Sequence, residues 1–297
     1  MIKRLVFFTV SLTVLLFIVG CPQVKTKPVE SSKAEPPKVK AQPTVHFHDN
    51  CADILASCVN SEGMVNYKKL KWRRFELKAL LNKFDNLDPN EYDAWPQEDK
   101  IAFWINAYNM QTLKIIVDNY PIESSRFYRL FWPPNSIRHI KGIWTDYKFM
   151  VMDEEFTLAE IEKRFFRQQF DDQRIFFALS QASISSPPLR NEPYYGYKLN
   201  QQLDDQAKKF LTSPTGFRID RDTKTVHLSA MLQSTWFGDR FVSKYDTDKK
   251  FKDQLPAVRA VLNFITNYVP DPDVSFLEVE NYTVAYLRYD WTLNEGM

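Results

Sequence analysis

PQEDKIAFWINAYNMQTLKIIVDNY, residues 96–120, is the stretch whose reading decides the fold. It is too long, and too apolar on every side, to be a surface helix. Pro96 suits a helix start, Glu98 and Asp99 sit where the helix dipole favours negative charge, and Pro121 forbids continuation past Tyr120. Ile101, Ile105, Tyr108, Thr112 and Ile115 form one stripe. Phe103, Trp104, Ala107, Met110, Leu113 and Ile116 cover most of the remaining circumference, so other elements must wrap this helix. Asn106 and Asn109, three apart, share a face. A buried carboxamide without partners costs about 1–3 kcal/mol. These two side chains are therefore expected to tie down a neighbouring loop, taken to be residues 183–190.

Outward from this helix, the pattern interleaves helices and strands without a strict βαβ repeat. Helices are expected over Cys51–Val59, Phe75–Leu87, Thr157 to Phe170 behind a Thr157–Glu160 capping box, Asn200–Leu211, Ser229–Phe241 and Leu255–Tyr268. Strands are expected at MVNY (64–67), Tyr147–Met152, Arg174–Leu179 and within Val274–Tyr286, with a hairpin of Phe217–Ile219 and Thr225–Leu228. The implied fold is a mixed α/β or α+β domain, α-rich and single over residues 45–297, with the central helix packed against a small sheet. The segment SSRFYRLFWPPNSIRHIKGIW (124–144) reads as a long ordered aromatic loop, of the kind that walls or covers sites.

The N-terminal residues read differently. Lys3 and Arg4 precede an apolar run from Leu5 to Val19 that closes at Gly20-Cys21, and this resembles a bacterial lipoprotein signal peptide over residues 1–20. The run is short for a membrane span, although an uncleaved single-span anchor is the competing reading. The resemblance implies lipidation of Cys21, attachment to the membrane through that lipid, and an outer-membrane destination given Pro22. Residues 22–44 carry five prolines and five lysines with no aromatic, so residues 21–44 are read as a disordered tether, about 70 Å long if extended.

Lys3 and Arg4 account for the formal net charge of +2. The neutral body argues against nucleic acid as a partner. With seven glycines, and neither GxGxxG nor GxxxxGK[ST], phosphate-loop chemistry is excluded. Cys51 and Cys58, seven apart in a helix, are too distant for a disulfide and are expected to be buried free thiols; the competing reading joins them to His46 and His48 as a zinc site, which no Cys-x-x-Cys supports. No metal or other cofactor is expected.

Several stretches together resemble an uncharacterised family, domain of unknown function 547. They are GMVNY (63–67), FWINAYN (103–109), the Ile-Glu pair of LAEIEK (158–163), RIFFALSQAS (174–183), SSPPLR (185–190), LDDQAKKFL (203–211) and YDWTLN (289–294), spanning Asp49 to Asn294 in order. Where many members carry cysteine before the proline pair this chain has Ser186, and where many carry histidine after Ile-Glu it has Lys163. The resemblance thus marks Ser186 and Lys163 as degenerate catalytic positions. The associated candidate binding residues are Asn106, Asn109, Ser183, Arg190, Tyr194 and Asp290. Two functions follow as expectations: a cleft that binds a peptide, glycan or small molecule, with Trp132, Trp144, Tyr194, Tyr195 and Tyr197 in loops beside it, or an acyl hydrolase using Ser186 with a base from His139, His227, His46 or His48. A third expectation is a scaffold in an envelope complex, which an exposed apolar patch would favour.

Overall fold

A computed structural model describes residues 46–124 and 126–296. The signal segment, Cys21 and the tether therefore lie outside the described residues. Chain order gives α1 (Ala52–Cys58), α2 (Tyr67–Trp72), α3 (Arg74–Asp85), α4 (Pro89–Asp93), α5 (Gln97–Asp118), a two-stranded antiparallel ribbon β1 (Phe149–Val151) and β2 (Glu154–Phe156), and α6 (Leu158–Ile161). Then follow α7 (Leu199–Leu211), β3 (Phe217–Asp220), β4 (Thr225–Leu228), α8 (Ser234–Tyr245), α9 (Pro256–Ile265), α10 (Asp271–Glu278) and β5 (Thr283–Tyr286). The second sheet has the order β3-β4-β5, with β3 antiparallel and β5 parallel to β4. This is an α-rich α+β domain.

Helix α5 is its axis. From Ile101 to Val117 every residue except Lys114 is buried, as an all-round apolar sequence requires. Helices α2, α3, α6 and α7 pack around it, and β2 meets it where the Phe156 ring lies edge-on to Trp104. Trp104 also stacks on Phe165 at 3.6 Å and donates its indole N–H to the Tyr92 hydroxyl at 2.8 Å, so the largest ring in the core leaves no polar atom stranded.

Four of the expected elements are corrected. MVNY is not a strand: Val65 makes only isolated bridges to Val59 and Glu295, while the Asn66 side chain accepts from Lys69 N–H and starts α2, so capping overrides the β-branched composition. Arg174–Leu179 contains a 3₁₀ helix, Gln173–Phe177, entered by Asp172 accepting from Arg174 N–H; a short apolar run does not distinguish a strand from a buried helical turn. Within Val274–Tyr286 the strand is confined to β5, because Pro272 in the first turn launches α10 instead. Ser229–Phe241 is a 3₁₀ turn, Ala230–Leu232, followed by α8, which is interrupted at Gly238 where φ is 72°.

One tight approach organises the N-terminal part. Gly63 adopts φ of 84°, and a Cβ there would stand 2.5 Å from Pro188 Cβ and 2.8 Å from Leu189 N. The GMVNY turn therefore lies against SSPPLR, and only glycine fits.

Candidate functional site

The two central asparagines tie loops to α5 as the sequence predicts, but not the loop 183–190. Asn106 Nδ2 donates to Tyr194 O and its Oδ1 accepts from Tyr194 N–H, both at 2.9 Å. Asn109 Nδ2 donates to Ala178 O at 2.9 Å and its Oδ1 accepts from Ser180 N–H at 3.0 Å. The pair thus pins the chain on either side of the Ser-Pro-Pro turn. Asn106 Nδ2 also donates to His48 Nδ1 at 3.3 Å, which leaves His48 Nε2–H to donate to Asp99 Oδ1 at 3.2 Å. Burial lowers the His48 pKa and Asp99 acts against it, so this histidine is a neutral structural link rather than a proton shuttle.

A third amide closes the same region. Asn294 Oδ1 accepts from the Tyr67 hydroxyl at 2.7 Å, its Nδ2 donates to Gly63 O at 3.1 Å, and its carbonyl accepts from Val65 N–H at 2.9 Å. The segment around it bridges Ser183 to Leu293 and Ser136 to Thr292. YDWTLN is therefore threaded between the GMVNY turn and the SQASISS loop, and it delivers Trp291 to the surface.

There, a cavity of about 430 Å³ is walled by Arg138, Trp144, Ala159, Glu162, Lys163, Arg167, Gln181 and Trp291. Its polar wall comes from a π-helix, Glu162–Gln169, that continues α6. A π-helix is uncommon and concentrates at functional sites, since the widened turn spreads side chains that an α-helix would space differently. Gln181, buried, also lines the cavity and is followed by Ala182 at φ of 53°, a left-handed conformation that a residue with a Cβ adopts at some energetic cost. The Arg138 guanidinium sits over three rings, at 4.6 Å from Trp132, 5.0 Å from Trp291 and 5.5 Å from Trp144. These contacts hold its position without neutralising its charge.

Electrostatically the cavity is unbalanced. Burial raises the Glu162 pKa, against the Tyr108 hydroxyl, which donates to Glu162 Oε1 at 2.8 Å, and against Arg167, whose Nη2 is 3.9 Å from Glu162 Oε2. A single carboxyl, whose ionised form burial disfavours, is thus grouped with Arg138, Lys163 and Arg167. A neighbouring cavity of about 520 Å³, walled by Phe131, Trp132, Pro133, Arg288, Tyr289, Asp290 and Trp291, shares Trp291 with the first.

Of the sequence-predicted site residues, Lys163 and Trp144 line the first cavity, and Trp132 and Asp290 the second. Ser186 is buried, and its hydroxyl donates to Ser183 O at 2.9 Å and Pro187 O at 3.2 Å; it is a turn residue capping its own loop. Gln181, not Ser186, lines the cavity together with Lys163. Ser183 Oγ pairs with the Tyr289 hydroxyl at 2.8 Å, Arg190 Nη2 donates to Glu192 at 2.6 Å, and the Tyr194 ring is a core ring. Among the candidate bases, His139 Nε2 donates to Pro133 O at 2.7 Å, and His227 is on β4. Cys51 and Cys58 are buried and free, burial pushing the Cys51 thiol up to about 12. Among the described residues no cluster of His, Cys, Asp or Glu could hold a metal, and no helix is long and apolar enough to cross a membrane.

Residues 92–211, from α4 through α7, match the family model described as Protein of unknown function, DUF547. Over that stretch the chain is similar to the DUF547 family. The match includes every wall of the first cavity except Trp291. No curated protein and no solved structure matches the chain.

Proposed function

We propose that this is a lipid-anchored envelope protein whose DUF547 domain binds an anionic ligand with a flat or apolar body, a small molecule or the end of a peptide or glycan, in the cleft between the π-helix and Trp291. The observation that carries this reading is the cavity's charge balance: Arg138, Lys163 and Arg167 surround one desolvated carboxyl, with indole rings of Trp144 and Trp291 as the apolar walls. An anion entering such a site compensates the excess of three cations over one carboxyl, and a ring stacks on the indoles. Acyl transfer through Ser186 is disfavoured, because its hydroxyl is committed to main-chain carbonyls and has no histidine beside it in hydrogen-bond reach among the described residues.

The test uses two fluorescent probes of similar shape, anionic 8-anilinonaphthalene-1-sulfonate and uncharged N-phenyl-1-naphthylamine. The anion is expected to bind the wild type, and Lys163→Ala with Arg167→Ala to weaken it at least tenfold while the neutral probe changes little. Equal affinity of wild type and double variant for the anion would remove the charge argument. Ester turnover by the wild type that Ser186→Ala abolishes would replace this reading with a serine hydrolase.

A further inference from the structure

We infer that the loop carrying Arg126 to Phe131 docks the domain onto the surface of a bilayer rich in anionic phospholipid. The loop stands on its own geometry and does not depend on the cleft or on Cys21.

Phe127, Tyr128, Leu130 and Phe131 are 64%, 52%, 77% and 58% exposed. Elsewhere among the described residues large exposed apolar side chains occur singly or in pairs along the sequence, which is ordinary for a protein surface; here four fall within five residues. None of the four packs into the hydrophobic core. Phe127 instead packs on Tyr128 and Phe131, each at 5.7 Å between ring centres, so the rings form one protruding cluster.

The main chain beneath them is suited to leaving water. Residues Tyr128–Leu130 form a 3₁₀ turn in which Leu130 N–H donates to Phe127 O, while Phe131 N–H and Trp132 N–H both donate to Tyr128 O, at 3.0 to 3.3 Å. The turn satisfies these amides internally, as entry into a poorly hydrated interface requires. Aromatic rings with one polar edge and arginine with its long stem are the side chains that settle at headgroup level.

Size and charge select the occupant. Four apolar side chains expose roughly a few hundred Å², well below the roughly 800 Å² per partner of a stable protein–protein interface. A bilayer needs no such area, since a few inserted side chains add to electrostatic attraction. Arg126 and Arg129 are both exposed, with Glu123 the one acidic residue between Pro121 and Trp132, so the loop presents net positive charge to phosphate headgroups. Phe131 and Trp132 also wall the second cavity, which places that cavity's rim next to the lipid when the loop is docked.

Hydroxyl-radical footprinting of the full chain reads this directly, because it reports each side chain's exposure whatever else anchors the protein. The chain would be compared in detergent-free buffer or mild detergent, on phosphatidylcholine vesicles, and on vesicles with one-third phosphatidylglycerol. On the anionic vesicles, modification of Phe127, Tyr128, Leu130 and Phe131 is expected to fall at least threefold while the exposed Tyr197 is unchanged, and Arg126→Glu with Arg129→Glu to abolish the protection. Modification of these four residues that is the same in all three conditions would overturn the inference. Equal protection on both vesicle types would overturn its anionic part, and protection rising with protein concentration without lipid would assign the patch to a second copy instead.

Discussion

Replacing Asn106 by alanine removes a side chain that satisfies three buried groups at once: Tyr194 N–H, Tyr194 C=O and His48 Nδ1. Each buried polar group left without a partner costs about 1–3 kcal/mol, and truncation adds a small void. The three groups are neighbours, so their costs do not simply add. The expected loss is about 3–5 kcal/mol, a large part of the roughly 5–15 kcal/mol that folded proteins have. For a domain of this size each kcal/mol lowers Tm by about 2–4 °C, which places the Asn106→Ala midpoint roughly 6–20 °C below wild type. Asn109→Ala orphans two groups, Ala178 C=O and Ser180 N–H, and the corresponding loss is about 2–4 kcal/mol. Thermal unfolding followed by circular dichroism, with urea midpoints as a second measure, gives both values. The order is as informative as the size: Asn106→Ala melting at or above Asn109→Ala, or either within a degree or two of wild type, would refute the claim that these amides hold the loops.

Gly63→Ala introduces a Cβ at 2.5 Å from Pro188 Cβ with φ of 84°; the expected cost is about 2–4 kcal/mol, read as a lower urea midpoint, and an unchanged midpoint would mean that the GMVNY turn does not abut the proline pair. Burial raises the Glu162 pKa in the folded state, so between its unfolded and folded values the native protein holds the extra proton: stability should fall as pH rises through the range just above the ordinary carboxylate pKa, and Glu162→Gln should flatten that slope. The same proton removes a negative charge from the cavity, so the anionic probe should bind more tightly as pH falls through this range. Cys21→Ala should release the protein from the membrane fraction or leave its precursor uncleaved, since acylation supplies the proposed anchor; normal processing with unchanged partitioning, measured by fractionation and immunoblot, would end that idea.

The central helix was legible because its evidence is local: an all-round apolar run between Pro96 and Pro121 admits one outcome, and it is buried as that reading requires. The asparagines were legible as ties, because a carboxamide on a buried helix must be satisfied. Their partners were not, since Tyr194 lies 88 residues from Asn106 and Ala178 lies 69 from Asn109. The site was read least well. Lys163 stood out by resemblance, but Ser186 was paired with it on motif position, whereas the fold turns Ser186 into its own loop and brings Gln181 to the cavity. Arg138 and Arg167 carry no sequence signal beyond their charge. Glu162 was flagged only as half of an Ile-Glu pair, and its raised pKa arises from desolvation that no sequence pattern expresses. Trp291 is half-buried, packed against the core while it walls the cavity, and no sequence pattern separates it from an ordinary core ring.

The placement of YDWTLN also constrains the order in which the molecule acquires its cleft. Asn294 bonds to Tyr67 and Gly63 across 227 and 231 residues of sequence, and Trp291 reaches the cavity only because that segment is seated between those elements. Contacts of such separation carry the largest loop-closure entropy and form late relative to local ones. A partly folded chain can therefore hold its central helix, and much of its core, before the cleft has its indole wall. Binding competence and helical content should part company during refolding, with the first lagging the second.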